Sequence, residues 1–157
     1  MGQVVSVSKM YTDRFEVAAP PAAVFPLLCP IREYDWLEHW RCELLRSRSG
    51  GAEDGCIFRT EFEGGGQMTW IVNCYEPDRR IEFTCFVPEW LIMRLRIVLE
   101  PSVRGGTLTG WIREYIAMNR EGVAWISSHD EDGYRERMAR LQKSLAHYLL
   151  TGTCLKQ

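Results

Sequence analysis

The sequence lacks any apolar run near the roughly 20 residues that a bilayer-spanning helix needs, and its start lacks a charged segment leading into an apolar secretory core. Membrane insertion is therefore not expected, and the cytoplasm is the expected location. It also lacks an excess of either charge: charged residues make up 25% of the chain and leave a net charge of -2, too little field to hold nucleic acid. Its six cysteines, Cys29, Cys42, Cys56, Cys74, Cys85 and Cys154, form no Cys-x-x-Cys pair, which argues against a zinc site or a redox dithiol. Asp35 and His39 are spaced to share a metal on a helix, but no third ligand follows at a recognisable spacing, so no metal is expected. No G-x-S-x-G context surrounds a serine, the glycine pairs lack a phosphate-loop pattern, and no cofactor is implied. The start Met1-Gly2-Gln3-Val4-Val5-Ser6 fits the minimal N-myristoylation pattern.

What is present is apolar residue in quantity, 46% of 157 positions, enough for one core, and residues 1–157 are expected to form one domain. Strands are expected at Tyr11 to Val17, Cys42 to Ser47, Cys56 to Glu63, Met68 to Tyr75, Ile81 to Val87, Leu91 to Leu99 and Thr107 to Ile116. Cys56, Phe58, Thr60 and Phe62 alternate with Arg59, Glu61 and Glu63, the period-two pattern of a sheet covered on one side. Met68, Trp70, Val72 and Cys74 are expected to pair inward with Ile81, Phe83 and Cys85. Pro20-Pro21 suit the first turn of a short helix, and Ile31 to Leu37 reads as a second. From Asp130 to Leu150, Tyr134, Met138, Leu141, Leu145 and Tyr148 recur three and four apart, the mark of a long amphipathic helix ending at Gly152. One apolar sheet face and one helix to cover it specify an α+β helix-grip fold: a seven-stranded curved antiparallel sheet, two short helices after strand 1, and a long C-terminal helix over the concave face.

The last strand carries a conflict. Thr107, Thr109, Trp111, Arg113 and Tyr115 share one face, while Leu108, Gly110, Ile112, Glu114 and Ile116 share the other, so one charge points inward whichever parity holds. Arg113 facing inward binds a carboxylate or enolate, with Tyr115 donating beside it; Glu114 facing inward is a conceivable base; a buried ion pair is the alternative. Glu33, Asp35, Glu38 and His39 cluster near the expected cavity mouth, where a desolvated carboxylate serves as a general base, or else form a solvated helix face. Trp36 and Trp40 either line a ligand entrance or pack in the core. Trp70, Phe83, Leu95, Met138 and Leu141 face the expected interior and line a cavity or a filled core.

Phe15-Glu16-Val17 leading into Pro20-Pro21-Ala22-Ala23-Val24-Phe25, the run Tyr75-Glu76-Pro77-Asp78-Arg79-Arg80, Gly105-Gly106-Thr107 before the last strand, and the terminal helix together resemble the START-like superfamily. This is also known as SRPBCC or the polyketide cyclase and dehydrase family. Cys29-Pro30-Ile31-Arg32-Glu33-Tyr34-Asp35-Trp36, followed by Trp40-Arg41-Cys42-Glu43, is similar to a bacterial subgroup of it. The resemblance implies a cavity between sheet and long helix that binds, carries or cyclises hydrophobic molecules. Fold analogy does not choose among these. The leading expectation is a binding protein for a small hydrophobic or aromatic ligand. The alternatives are a cyclase or dehydratase-like enzyme using Arg113 or Glu114, and an interaction module with a filled cavity that forms a homodimer through Ile71, Tyr75, Phe86 and Ile92 on the outer sheet.

Overall fold

The computed structural model describes residues 7–63 and 65–157; the Met1 to Ser6 pattern and Gly64 lie outside them. Seven strands form one antiparallel sheet in the order β1-β7-β6-β5-β4-β3-β2, left open between its edge strands β1 and β2. They are β1 (Ser8–Val17), β2 (Glu43–Arg46), β3 (Ile57–Glu61), β4 (Gln67–Glu76), β5 (Arg80–Val87), β6 (Leu91–Pro101) and β7 (Thr107–Ala117). The N-terminal strand thus pairs with the last one, and the intervening strands follow as a meander.

Between β1 and β2 lie a single helical turn, α1 (Pro21–Val24), and two 3₁₀ turns, Phe25–Leu28 and Glu33–Asp35. Pro21 occupies the first helical position, where its missing N–H leaves nothing unpaired, and Pro26 and Pro30 keep the segment from extending into a longer helix. Val24, Leu28 and Trp36 are fully buried there. The long helix α3 (Glu131–Thr151) has the expected caps. The Asp130 side chain accepts from the Gly133 N–H at 2.8 Å, and Gly152 ends the helix in the left-handed region at φ 70°. Met138 and Leu145, both essentially inaccessible, anchor it on the sheet, each burial worth about 1.5–3 kcal/mol.

Two features differ from the sequence expectation. A helix, α2 (Arg120–Ser128), stands between β7 and α3. The Asn119 side chain caps it by accepting from the Gly122 N–H at 2.8 Å. Gly122 lies so close to the Trp90 carbonyl that a Cβ there would overlap it, which is why a poor helix former occupies the first turn. In β4, the register shifts between Val72 and Cys74. That bulge reverses the pleat, so Tyr75 turns inward opposite Ile81 and packs edge-on against Phe25, ring centroids 5.2 Å apart, while Cys74 lies opposite Glu82. The inward pairing expected for Cys74 is therefore corrected, and Tyr75 is removed from the outer face. Of the outer-face residues singled out, Phe86 is exposed and Ile71 and Ile92 are half-buried.

Candidate functional site

The concave face of the sheet is built from one cross-strand row at its centre. Tyr11 on β1 lies opposite Arg113 on β7, Arg113 opposite Leu95 on β6, Leu95 opposite Phe83 on β5, and Phe83 opposite Val72 on β4. Four of these five side chains are buried hydrophobes. The fifth is a guanidinium. The parity conflict in β7 is thus resolved with Thr107, Thr109, Trp111, Arg113 and Tyr115 inward. Glu114 faces the other side of the sheet, 3.6 Å from Arg94, and does not reach the interior.

Two cavities meet at this row. The larger, about 370 Å³, lies between the sheet and the helices α2 and α3 and is walled by Trp70, Met93, Tyr115, Trp125 and Arg137. The smaller, about 110 Å³, lies beneath the Glu33 turn and is walled by Glu33, Phe83, Leu95, Trp111 and Leu141. Trp40, Trp70 and Arg113 line both. The aromatic walls brace one another: Trp70 stacks on Phe58 at 5.6 Å with a 7° interplanar angle and donates from Nε1 to Thr60 Oγ1 at 2.9 Å. At the far end, Tyr115 meets Trp125 edge-on at 5.1 Å, and Trp125 stacks on His129 at 3.6 Å. His129 Nε2 lies 2.8 Å from Glu63 Oε1, joining the β3–β4 hairpin to the α2–α3 junction beside the larger cavity.

The electrostatics centre on Arg113. Its Nε is buried without a hydrogen-bond partner among the described residues. Burial pushes the Glu33 carboxyl up to about 8, with the positive charge of Arg113 opposing the shift. Residue Glu33 as a whole is only partly buried, but its carboxyl lines the smaller cavity, and withdrawal of that group from water sets the direction. Burial likewise pushes the Cys85 thiol up to about 12 and raises Tyr134, again with Arg113 opposing. At neutral pH the site therefore holds a cationic guanidinium, a neutral carboxylic acid and aromatic walls. It can receive an oxyanion and offer it a proton.

No protein-family profile matches the sequence, and no curated protein matches it. Solved structures do match. Norcoclaurine synthase of Thalictrum flavum superposes with a TM-score of 0.64 at 16% identity over 94% of this chain and 90% of that one. Protein MLL2253 of Mesorhizobium loti superposes with a TM-score of 0.62 at 16% identity over 90% and 96%. The ginseng major latex-like protein 151 of Panax ginseng superposes with a TM-score of 0.65 at 10% identity over 90% and 97%.

The chain has the helix-grip fold. It is shared at low identity by all three proteins, and in this chain residues of the sheet and of α3 line both cavities.

Within this helix-grip fold, the structure gathers Trp70, Phe83, Leu95, Arg113, Tyr115, Leu141 and Glu33 around the two cavities. Two other residues named from the sequence lie elsewhere. Trp36 is fully buried, donates from Nε1 to the Leu27 carbonyl at 2.8 Å and borders neither cavity. Met138, on the buried side of α3, packs in the core. Asp35 is taken by Arg32 at 2.6 Å, and Glu38 accepts from the Gln157 N–H at 2.7 Å, so neither faces the interior site. Among the described residues no three His, Cys, Asp or Glu side chains gather to hold a metal, and no helix is long and apolar enough to cross a membrane. Sequence reasoning missed Trp125 and Arg137. Trp125 sits on the unanticipated α2; Arg137 sits three residues after Tyr134 on the flank of the apolar stripe of α3, where a long stem can reach inward.

Glu33 makes stability depend on pH in a defined way. Its folded value lies above the ordinary 4.5, so the folded state binds this proton more tightly, and stability is lost as pH rises from about 4.5 to about 8. Glu33→Gln lacks that loss. The stability difference between variant and parent should grow in the variant's favour across this window, on the order of a few kcal/mol and visible as a rising difference in Tm, and level off above it. Thermal unfolding at closely spaced pH values checks this; a difference independent of pH contradicts it.

Proposed function

We propose that the chain binds a small, mostly apolar or aromatic molecule in the space between its sheet and C-terminal helix. The observation that carries this reading is the cavity of about 370 Å³, walled by Trp70, Met93, Tyr115 and Trp125, which has the size and lining of a small-molecule site. Exposed His39, Arg41, Glu61 and Glu63 rim this space while Met93 and Tyr115 in its wall are buried, so an apolar ligand has both a way in and a wall to pack on. Norcoclaurine synthase, which shares the fold, is by its name a synthase of a small molecule, which supports a small-molecule role here without naming the molecule. Native mass spectrometry of gently purified protein should find an apolar adduct that is lost on denaturation. Val87→Trp, which fills the larger cavity from β5, should lower its occupancy at least tenfold. A clean apo mass that persists after exposure to a broad apolar library would remove the binding role.

A second reading, an enzyme of the cyclase or dehydratase type, is favoured by one observation: Glu33, neutral at pH 7, and Arg113 line the same small cavity. Exchange at the carbon uses both forms of Glu33: the fraction ionised at pH 7 takes the proton from carbon while Arg113 holds the enolate oxygen, and the resulting acid, after exchange with solvent, returns a proton to the carbon. Glu114, on the opposite face of β7, takes no part. For an enolisable ketone such as 2-tetralone, this reading expects the protein to speed exchange of the acidic C–H in deuterated water and Glu33→Gln to lose most of that rate. Retention of the rate in the variant sinks it.

A further inference from the structure

We infer that the ligand ends in a carboxylate and that Arg113 is its receptor, with the planar apolar body lying between Trp70, Met93, Tyr115 and Trp125. The inference rests on the binding reading above and specifies the chemistry of that site. Three observations carry it. Arg113 sits at the junction of the two cavities, and its Nε–H is withdrawn from water without a partner. A buried donor left unsatisfied costs about 1–3 kcal/mol, more when the group is charged; Nε itself has no surface open to the cavities, so a carboxylate would meet the guanidinium at its terminal nitrogens and offset the cost by pairing its charge there.

The groups around Arg113 do not supply the missing anion. Among the described residues it makes no ion pair within 4.0 Å. Glu33, the carboxyl that faces it across the smaller cavity, is held neutral by burial. From β1, β6 and β5 its neighbours in the row are Tyr11, Leu95 and Phe83, none of them a carboxylate. The carboxylates bordering the larger cavity, Glu61 and Glu63, are exposed, and Glu63 is engaged by His129.

The lining also carries two further arginines, Arg41 and Arg137. Arg137 reaches the larger cavity from α3, on the side facing the sheet that bears Arg113. An anion entering between them meets positive charge from both walls, whereas a neutral ligand of the same shape leaves Arg113 unpaired. That asymmetry favours acids over isosteric neutral molecules, because the neutral analogue must desolvate the cation without pairing it.

Isothermal titration of the whole chain with 2-naphthoate and with 2-naphthamide tests this, the two probes sharing one ring system and differing in charge. The acid should bind at least tenfold more tightly. In Arg113→Met that advantage should fall to within about threefold, and in Arg113→Lys, which keeps the charge but not the planar fork, it should be partly retained. Thermal unfolding of each variant shows whether it is folded, and the comparison in the unsubstituted protein decides the question even if Arg113→Met is not. Equal affinities for acid and amide overturn the carboxylate inference while leaving the apolar-cavity reading in place. An advantage undiminished in folded Arg113→Met overturns the assignment to Arg113. Absence of binding by either probe removes the inference together with the reading beneath it.

Discussion

The alternation of β7 is the constraint on which the site depends. Side chains on a strand point to opposite faces in turn, so fixing one residue fixes them all. In β7 the fixed residues are at the start: Thr107 Oγ1 donates to the Ala19 carbonyl at 2.6 Å, Thr109 Oγ1 to the Phe15 carbonyl at 3.1 Å, and Trp111 Nε1 to Thr109 Oγ1 at 3.1 Å. Thr107, Thr109 and Trp111 are buried on the concave face. With that face decided, Arg113 has no choice but to enter a row otherwise made of Tyr11, Leu95, Phe83 and Val72. A slip of one residue would bring Glu114 in and expose Trp111, exchanging one buried charge for another and losing a large apolar surface.

The open space follows from that placement. Apolar side chains packed flat against the guanidinium would take its remaining access to polar partners, a desolvation that dispersion contacts do not offset. The walls instead brace each other at a distance, Trp70 on Phe58 on one side and Trp125 between Tyr115 and His129 on the other. The neutral form of Glu33 belongs to the same logic. Its carboxyl is far enough from Arg113 that no ion pair forms, so burial rather than pairing sets its protonation. The result is a cation with an acid beside it and no anion between them.

Much of the fold was legible because its signals are local and repetitive. Period-two alternation in β3, β5 and β6, glycine and proline turns, and the three-and-four spacing in α3 each report one element without reference to the rest. The candidates rested on local signals too: Trp70 on its place in an alternating strand, Glu33 on a carboxylate cluster beside the expected cavity mouth, and Arg113 with Tyr115 on the charge that alternation forces inward in β7. What was not legible depends on contacts distant in sequence. The bulge that turns Tyr75 inward answers to pairing with β5, not to any residue type at Asn73. The helix α2 is short and carries Gly122, which lowers helix propensity and makes sense only beside the Trp90 carbonyl. Trp36 and Met138 have the composition of cavity residues and the packing of core ones, a distinction that volume alone decides.

The central claim is that a charged Arg113 side chain stands inside the protein with its Nε–H unpaired. Nitrogen-15 NMR of the arginine side chains tests it most directly, with Arg113→Lys identifying the resonance. The account predicts an Arg113 Nε–H signal whose exchange with water is slower than that of the exposed Arg135 and whose position moves when 2-naphthoate is added. An Arg113 Nε–H that exchanges as fast as that of Arg135 would place the side chain in solvent and contradict the account.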